Sequence, residues 1–204
     1  MDVVLASNNS GKIREFRQLL ADVGFAVLPQ SSLGIESVEE TGLTFVENAL
    51  IKARHAARVA LRPAIADDSG LEVDCLRGAP GIFSARFANQ QASDKDNNSY
   101  LLERLTGVPE HERTARYQAV IVYLRHAEDP TPLICQASWE GVIATDCRGD
   151  GGFGYDPLFI VAGKNARASE LNSVEKNQIS HRGRALKQLI AGLKARDLPS
   201  HCGN

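Results

Sequence analysis

Two strand-like segments, Arg113 to Arg125 and Leu133 to Ile143, flank the turn-forming Asp129-Pro130-Thr131-Pro132, and this arrangement constrains the fold most. The first alternates and is rich in Val, Ile and Tyr, the signature of a pleated, half-buried surface. A connection this short joins antiparallel neighbours, because parallel strands need a longer crossover. The spacing therefore predicts an antiparallel pair and favours a mixed sheet over a purely parallel one.

The earlier part of the chain alternates differently. Val3-Val4-Leu5-Ala6 predicts a short buried strand, followed by the polar turn Ser7-Asn8-Asn9-Ser10-Gly11-Lys12. Ile13, Phe16, Leu19 and Leu20 then recur at helical spacing, with Asn or Ser available as the N-cap. Phe25 to Leu28 predicts a second strand, ended by Pro29. Residues 43 to 61 predict the clearest helix, with Phe45, Ala49, Ala53, Ala56 and Ala60 on or near one stripe. Ala64-Ile65-Ala66 starts another buried strand that runs into Asp67-Asp68-Ser69-Gly70.

Residues 77 to 88, rich in Gly, Pro and small side chains, predict an ordered loop, and a helix follows from about Lys95 to Leu105. Beyond the paired strands, a glycine-dense stretch from Gly149 to Pro157 precedes a strand at Leu158 to Val161. Asn172 and Glu175 have capping-box spacing, and a last helix runs from about Arg182 to Leu193. The fold class expected is α/β: a long mixed β-sheet flanked by helices, in two packed lobes about a central cleft. Residues 1–197 would form one domain, with 198–204 as a tail.

The 204 residues are 43% hydrophobic and 24% charged, an ordinary globular balance. A formal net charge of -2 gives no reason to expect nucleic acid or a membrane surface as partner. No stretch approaches the roughly 18 consecutive apolar residues that span a bilayer. The start lacks a charged region followed by a long apolar one, so no secretory signal is expected and the cytoplasm is the default. Cys75, Cys135, Cys147 and Cys202 show no CxxC and read as reduced thiols.

Several motifs could carry chemistry, each with a plainer alternative. The turn from Ser7 to Lys12 joins a strand to a helix, where backbone N–H groups and a lysine suit an anion. It departs from GxxxxGK[ST], since Ile13 holds the hydroxyl position, so a capped helix with a solvated lysine also fits. Glu39-Glu40-Thr41-Gly42 precedes the helix carrying Glu47 and Lys52. Those acids are either partners of the helix dipole or the carboxylates that magnesium takes beside phosphate oxygens. Lys52 lies five after Glu47, about 140° round the helix, so at most one of them points straight into a site.

Asp67 and Asp68 end an apolar strand, where ligands bind in open α/β sheets, and strand alternation turns at most one of them to a ligand. Asp-Ser-Gly is equally good turn chemistry. Phe153-Gly154-Tyr155-Asp156 offers rings beside flexible backbone for stacking on a base, or a glycine turn covering the core. Lys176, His181 and Arg182 converge near helix termini, which favours contact with an anion or a carbonyl-bearing base.

Taken in order, ASNNSGK at 6–12, EETGLTFVENALIKARHAA at 39–57 and PAIADDSGLEVDCLRGAPGIFSARFA at 63–88 resemble the inosine triphosphate pyrophosphatase family, especially its bacterial members. GGFGYDPLF at 151–159 and ASELNSVEKNQISHRGRAL at 168–186 extend the resemblance over about residues 2–194. It implies hydrolysis of ITP, dITP and XTP to a monophosphate and pyrophosphate, cleansing the nucleotide pool.

By the resemblance, Ser7, Asn8, Asn9, Ser10, Gly11 and Lys12 would hold the triphosphate, and Lys52 would contact phosphate. Glu39 and Asp68 would place magnesium, with Asp68 also accepting the proton of the attacking water. Ser69 would lie against the substrate. Phe153, Gly154, Tyr155 and Asp156 would frame the base, and Lys176, His181 and Arg182 would read its 6-oxo edge. A homodimer is implied as well. The alternatives are a pyrophosphatase for other modified nucleotides and a sensor that binds without turnover. A nucleic-acid-binding module has less support, since the chain lacks a basic aromatic stripe.

Overall fold

The computed structural model describes residues 2–21 and 24–197. A six-stranded mixed sheet runs through it in the order β2-β1-β3-β4-β5-β6. β1 (Asp2–Leu5) lies parallel to β2 (Ala26–Pro29) and β3 (Ala64–Val73). From β3 onward the pairing is antiparallel, through β4 (Thr114–Leu124), β5 (Leu133–Ile143) and β6 (Phe159–Val161). The helices are α1 (Ser10–Ala21), α2 (Phe45–Ala60), α3 (Asp94–Arg104), α4 (Ser173–Ile179) and α5 (His181–Asp197).

The expected hairpin is present, with Tyr117 opposite Trp139 and Ile121 opposite Cys135. Its turn is pinned by the buried Asp129 carboxylate, which accepts from the Arg125 backbone and guanidinium and from the Thr131 N–H.

Strand alternation sorts the core onto two faces. Val3, Leu5, Ile65 and Ile121 pack against Phe16 and Leu20 of α1 and Leu186 and Leu189 of α5. Val4, Ala64, Ala66, Val120 and Val122 point the other way, onto Ala49, Ala53, Ala56 and Ala57 of α2. Alanines on that stripe let α2 lie close to the sheet. Toward the other end, Leu71, Val73, Trp139 and Phe159 pack with Leu101 of α3 and Leu105 at its C-cap.

Three expectations change. β3 does not end at the two acids: it continues through Asp67-Asp68-Ser69-Gly70 to Val73, with Asp67 opposite Ile121 and Asp68 opposite Val120. The acids therefore sit within a strand, because β4 is long enough to supply ladder partners along its whole length. Gly70 is required there, since a Cβ would collide with the Gly81 carbonyl and the Ser84 hydroxyl. That carbonyl belongs to a 3-10 helix, Gly81–Arg86, within the stretch read as a loop. The last helix also runs past Leu193.

Cys75, Cys135 and Cys147 are free thiols. Cys202 and the tail 198–204 lie outside the described residues. Among the described residues, no helix is long and apolar enough to cross a membrane.

Candidate active site

Asn9 caps α1, its side chain accepting the Lys12 N–H at 3.0 Å and its carbonyl the Ile13 N–H. Lys12 thus belongs to the first helical turn, on the stripe it shares with buried Phe16 and Leu20. Residues four apart lie on one helix face, so the packing that docks α1 also turns Lys12 toward β3. Lys52 is aimed the same way, one turn after buried Asn48 on α2. Glu47 turns aside into the cap, accepting from the Leu43 N–H and the Thr44 hydroxyl.

The two lysines approach β3 from opposite faces and meet consecutive acids. Lys12 Nζ lies 2.5 Å from Asp67 Oδ2, and Lys52 Nζ lies 2.6 Å from Asp68 Oδ1 and 3.1 Å from Glu40 Oε1. Lys52 also donates to the Asp67 carbonyl at 3.1 Å. Arg182, in the first turn of α5, completes the Asp67 side. It donates to Asp67 Oδ1 at 3.3 Å, to Glu15 Oε2 at 2.7 Å and to Ser69 Oγ at 3.0 Å.

These environments drive neighbouring carboxyls in opposite directions. Burial alone would raise both. At Asp67, the Arg182 and Lys12 charges overcome it and hold the carboxylate ionised well below the usual range. At Asp68, burial outweighs Lys52, and the carboxyl is pushed up. Lys12 is lowered by burial, which exceeds the pull of Asp67. Burial also acts on Lys52, but Asp68 and Glu40 outweigh it and raise its value.

Asp68 Oδ2 is buried and has no hydrogen-bond partner. An oxygen of this kind, with Glu40 across Lys52, fits a hard cation that takes one or two carboxylates and fills its shell with phosphate oxygens and water. Among the described residues, no cluster of three or more His, Cys, Asp or Glu could hold a metal by itself. Glu39 is exposed, and Glu40 is the acid that reaches Lys52.

Two cavities meet at Asn9 and Lys12. The first, about 200 Å³, is lined by Ser7, Asn8, Lys52, Glu40 and Asp67 among others. The second, about 260 Å³, is walled by Ser69, Phe153 to Asp156, Tyr117, Lys176, His181 and Arg182. Ser10 is exposed, and Gly11 lies under the Phe153 ring, where a Cβ would come within 3.0 Å.

Glycines shape the second cavity. Gly152 (φ 77°) folds the chain back so that the Asp156 carboxylate accepts the Phe153 N–H at 2.9 Å. The same carboxylate pairs with Lys176 and accepts from the Tyr117 hydroxyl. Lys176 and Arg182 lie 5.2 and 5.5 Å from the Phe153 ring centroid. His181 stacks on Tyr117 at 4.7 Å, and burial, then the Arg182 charge, hold it well below its ordinary value. It is therefore a neutral imidazole, with Nδ1 buried and unpartnered.

Of the residues singled out in the sequence, Ser7, Asn8, Asn9, Lys12, Lys52, Ser69, Phe153 to Asp156, Lys176, His181 and Arg182 line the two cavities, Asp68 joins them through Lys52, and Glu39 and Ser10 are exposed and line neither. The sequence offered Asp67 and Glu40 beside their neighbours without assigning them a role, and it gave no sign of Glu15. Alternation along β3 already put Asp67 and Asp68 on opposite faces, but nothing local showed that both faces would carry cations.

A cationic, carboxylate-bearing cavity joined to an aromatic one through a helix N-terminus defines a nucleotide-handling α/β protein. The chain belongs to the Ham1 family, whose family model matches residues 3–192. A dITP/XTP pyrophosphatase of Shigella flexneri is 57% identical over 192 residues, spanning 94% of this chain and 98% of the relative. One of Vibrio parahaemolyticus is 56% identical over 193 residues, spanning 95% and 96%. A HAM1 protein of Coxiella burnetii superposes with a TM-score of 0.89 at 47% identity, covering 96% of this chain and 99% of that one.

Proposed function

We propose that this chain is a nucleoside triphosphate pyrophosphohydrolase that converts ITP, dITP and XTP to the monophosphate and pyrophosphate. The observation that carries this reading is the junction at Lys12, where a polyanion cavity meets an aromatic base-sized one. A single nucleotide then lies with phosphates toward Lys52 and base toward Phe153.

Water attacks the α-phosphorus in line, the α–β anhydride bond breaks, and its electron pair leaves on pyrophosphate. Asp68 is the base that takes the water proton: burial raises its basicity, and Lys52 fixes its other oxygen. Lys12 and Lys52 neutralise charge that develops on the leaving phosphates. Magnesium, held by Asp68 and Glu40, would supply Lewis-acid stabilisation of phosphate charge.

At the base end, Phe153 stacks and the neutral His181 imidazole, with Lys176 and Arg182, presents donors to a 6-oxo group. Adenine places an amino group there, so donor would face donor, a buried mismatch that rejects strongly. A cytoplasmic homodimer goes with this reading. The half-exposed Phe83, in the apolar stretch 79–87, would contribute to the interface.

The test is incubation with magnesium and each of ITP, XTP, dITP, GTP, ATP and dTTP, assaying pyrophosphate and orthophosphate separately. Pyrophosphate from the first three and little from the rest is expected. Orthophosphate as first product would move the attack to another phosphorus, and silence throughout would favour a sensor.

A further inference from the structure

Gly154, in the loop that carries Phe153, has a φ of 63°, a left-handed conformation that only local restraint makes unique in a glycine. Both sides of this residue are held by α3. Its N–H donates to Asp94 Oδ2 at 2.6 Å, and its carbonyl accepts from Asn98 Nδ2 at 2.8 Å. Asn98 is only 4% exposed and also donates to the Asp94 carbonyl at 2.7 Å, so one amide ties helix and loop together.

The next residue back, Asn97, grips the opposite wall of the second cavity, donating to the Ala85 carbonyl at 3.2 Å and accepting the Ala88 N–H at 2.9 Å. The Tyr155 hydroxyl donates to the Ser84 carbonyl at 2.8 Å and joins the two walls. Among the described residues, none of these groups hydrogen-bonds or pairs with the lysines or acids of the first cavity.

We propose that Asp94 and Asn98 are positioning residues for base recognition, a brace from α3 that holds Gly154 so that Phe153 stays over Gly11 at the cavity mouth. The inference rests on reading that cavity as the base site. A glycine released from both hydrogen bonds samples many conformations. Substrate then binds only the fraction in which the ring is in place, and apparent affinity falls by that fraction. The phosphate end is left as it was, so the loss falls on KM and spares kcat.

The experiment is a double-substitution cycle read by pyrophosphate release from ITP. Asn98→Ala is expected to raise KM roughly fivefold to tenfold, the worth of one hydrogen bond, with kcat within about twofold. Once Phe153→Ala has removed the ring, adding Asn98→Ala should change KM by less than about twofold, because residues acting through one another are not additive. Asp94→Asn, which keeps an acceptor oxygen, should retain most of the affinity that Asp94→Ala loses.

Equal losses in both backgrounds, or a loss confined to kcat, would overturn the brace. An unchanged KM in a folded Asn98→Ala protein, with wild-type turnover intact, would overturn it while leaving the function standing. No pyrophosphate from wild-type protein would sink the function and the inference together.

Discussion

The two faces of β3 make a natural comparison. Asp67 and Asp68 are consecutive, both nearly inaccessible, and each has a lysine within 2.6 Å. On one face Asp67 is surrounded by Lys12, Arg182 and Ser69, and its carboxylate is fully engaged. On the other, Asp68 shares Lys52 with Glu40 and keeps one oxygen free. Cations overcome burial at the first acid and hold it ionised, whereas at the second one lysine, shared with Glu40, does not, and this is why we assign the reactive role to Asp68. Identity and burial do not decide between these roles; the local charge balance does.

That contrast can be broken most sharply by Asp68→Asn. The change should cost several orders of magnitude in kcat while the thermal transition stays close to wild type. Near-normal pyrophosphate release would remove Asp68 from the chemistry.

Asp67→Asn should do the reverse. It leaves buried Lys12 without a counter-charge and Arg182 with Glu15 alone, a loss of about 3–5 kcal/mol in denaturant unfolding. A variant as stable as wild type would show that Glu15 and Ser69 suffice for Arg182.

Glu40 and Glu39 separate the structural reading from the sequence one. Glu40→Gln should raise the magnesium needed for half-maximal rate by about tenfold, within the range for lost ligands and their supports, and Glu39→Gln should leave it unchanged. The opposite result would return the metal role to Glu39.

The smallest effect concerns His181, whose value in the fold lies below its ordinary 6.5. The unfolded chain takes up a proton at 6.5 that the fold refuses, so stability is lost as pH falls below that point. The loss grows as the pH is taken further below that point. Denaturant curves of His181→Asn should lack that part of the acid slope, and an unchanged slope would assign it to other groups.

The sheet and its helices were legible because their patterns are local. The alternation in 113–125 and the helical stripe ending in Phe16 and Leu20 each report one buried face. The same periodicity showed that Asp67 and Asp68 diverge. It could not show that β3 continues beyond them, since Asp-Ser-Gly favours a turn until β4 offers a full set of ladder partners. Glu40 was hidden for a related reason: the irregular segment before α2 has no period from which to read direction. Arg182 read as a base contact, but its bonds to Glu15 and Asp67 join residues far apart in the chain, and no local pattern encodes them.

Arg182 also has a consequence for biosynthesis. Its partners Glu15 and Asp67 leave the ribosome well over a hundred residues before α5 does. Until α5 docks, the nascent chain has the acids and lysines that we propose for hydrolysis without the His181 and Arg182 that we propose to read the base. Asp67 then lacks its arginine and Ala185, Leu186 and Leu189 are absent from the core. Structural completion and substrate selectivity therefore arrive together, and a chain truncated before α5 should lose its fold before it could act as an indiscriminate triphosphatase.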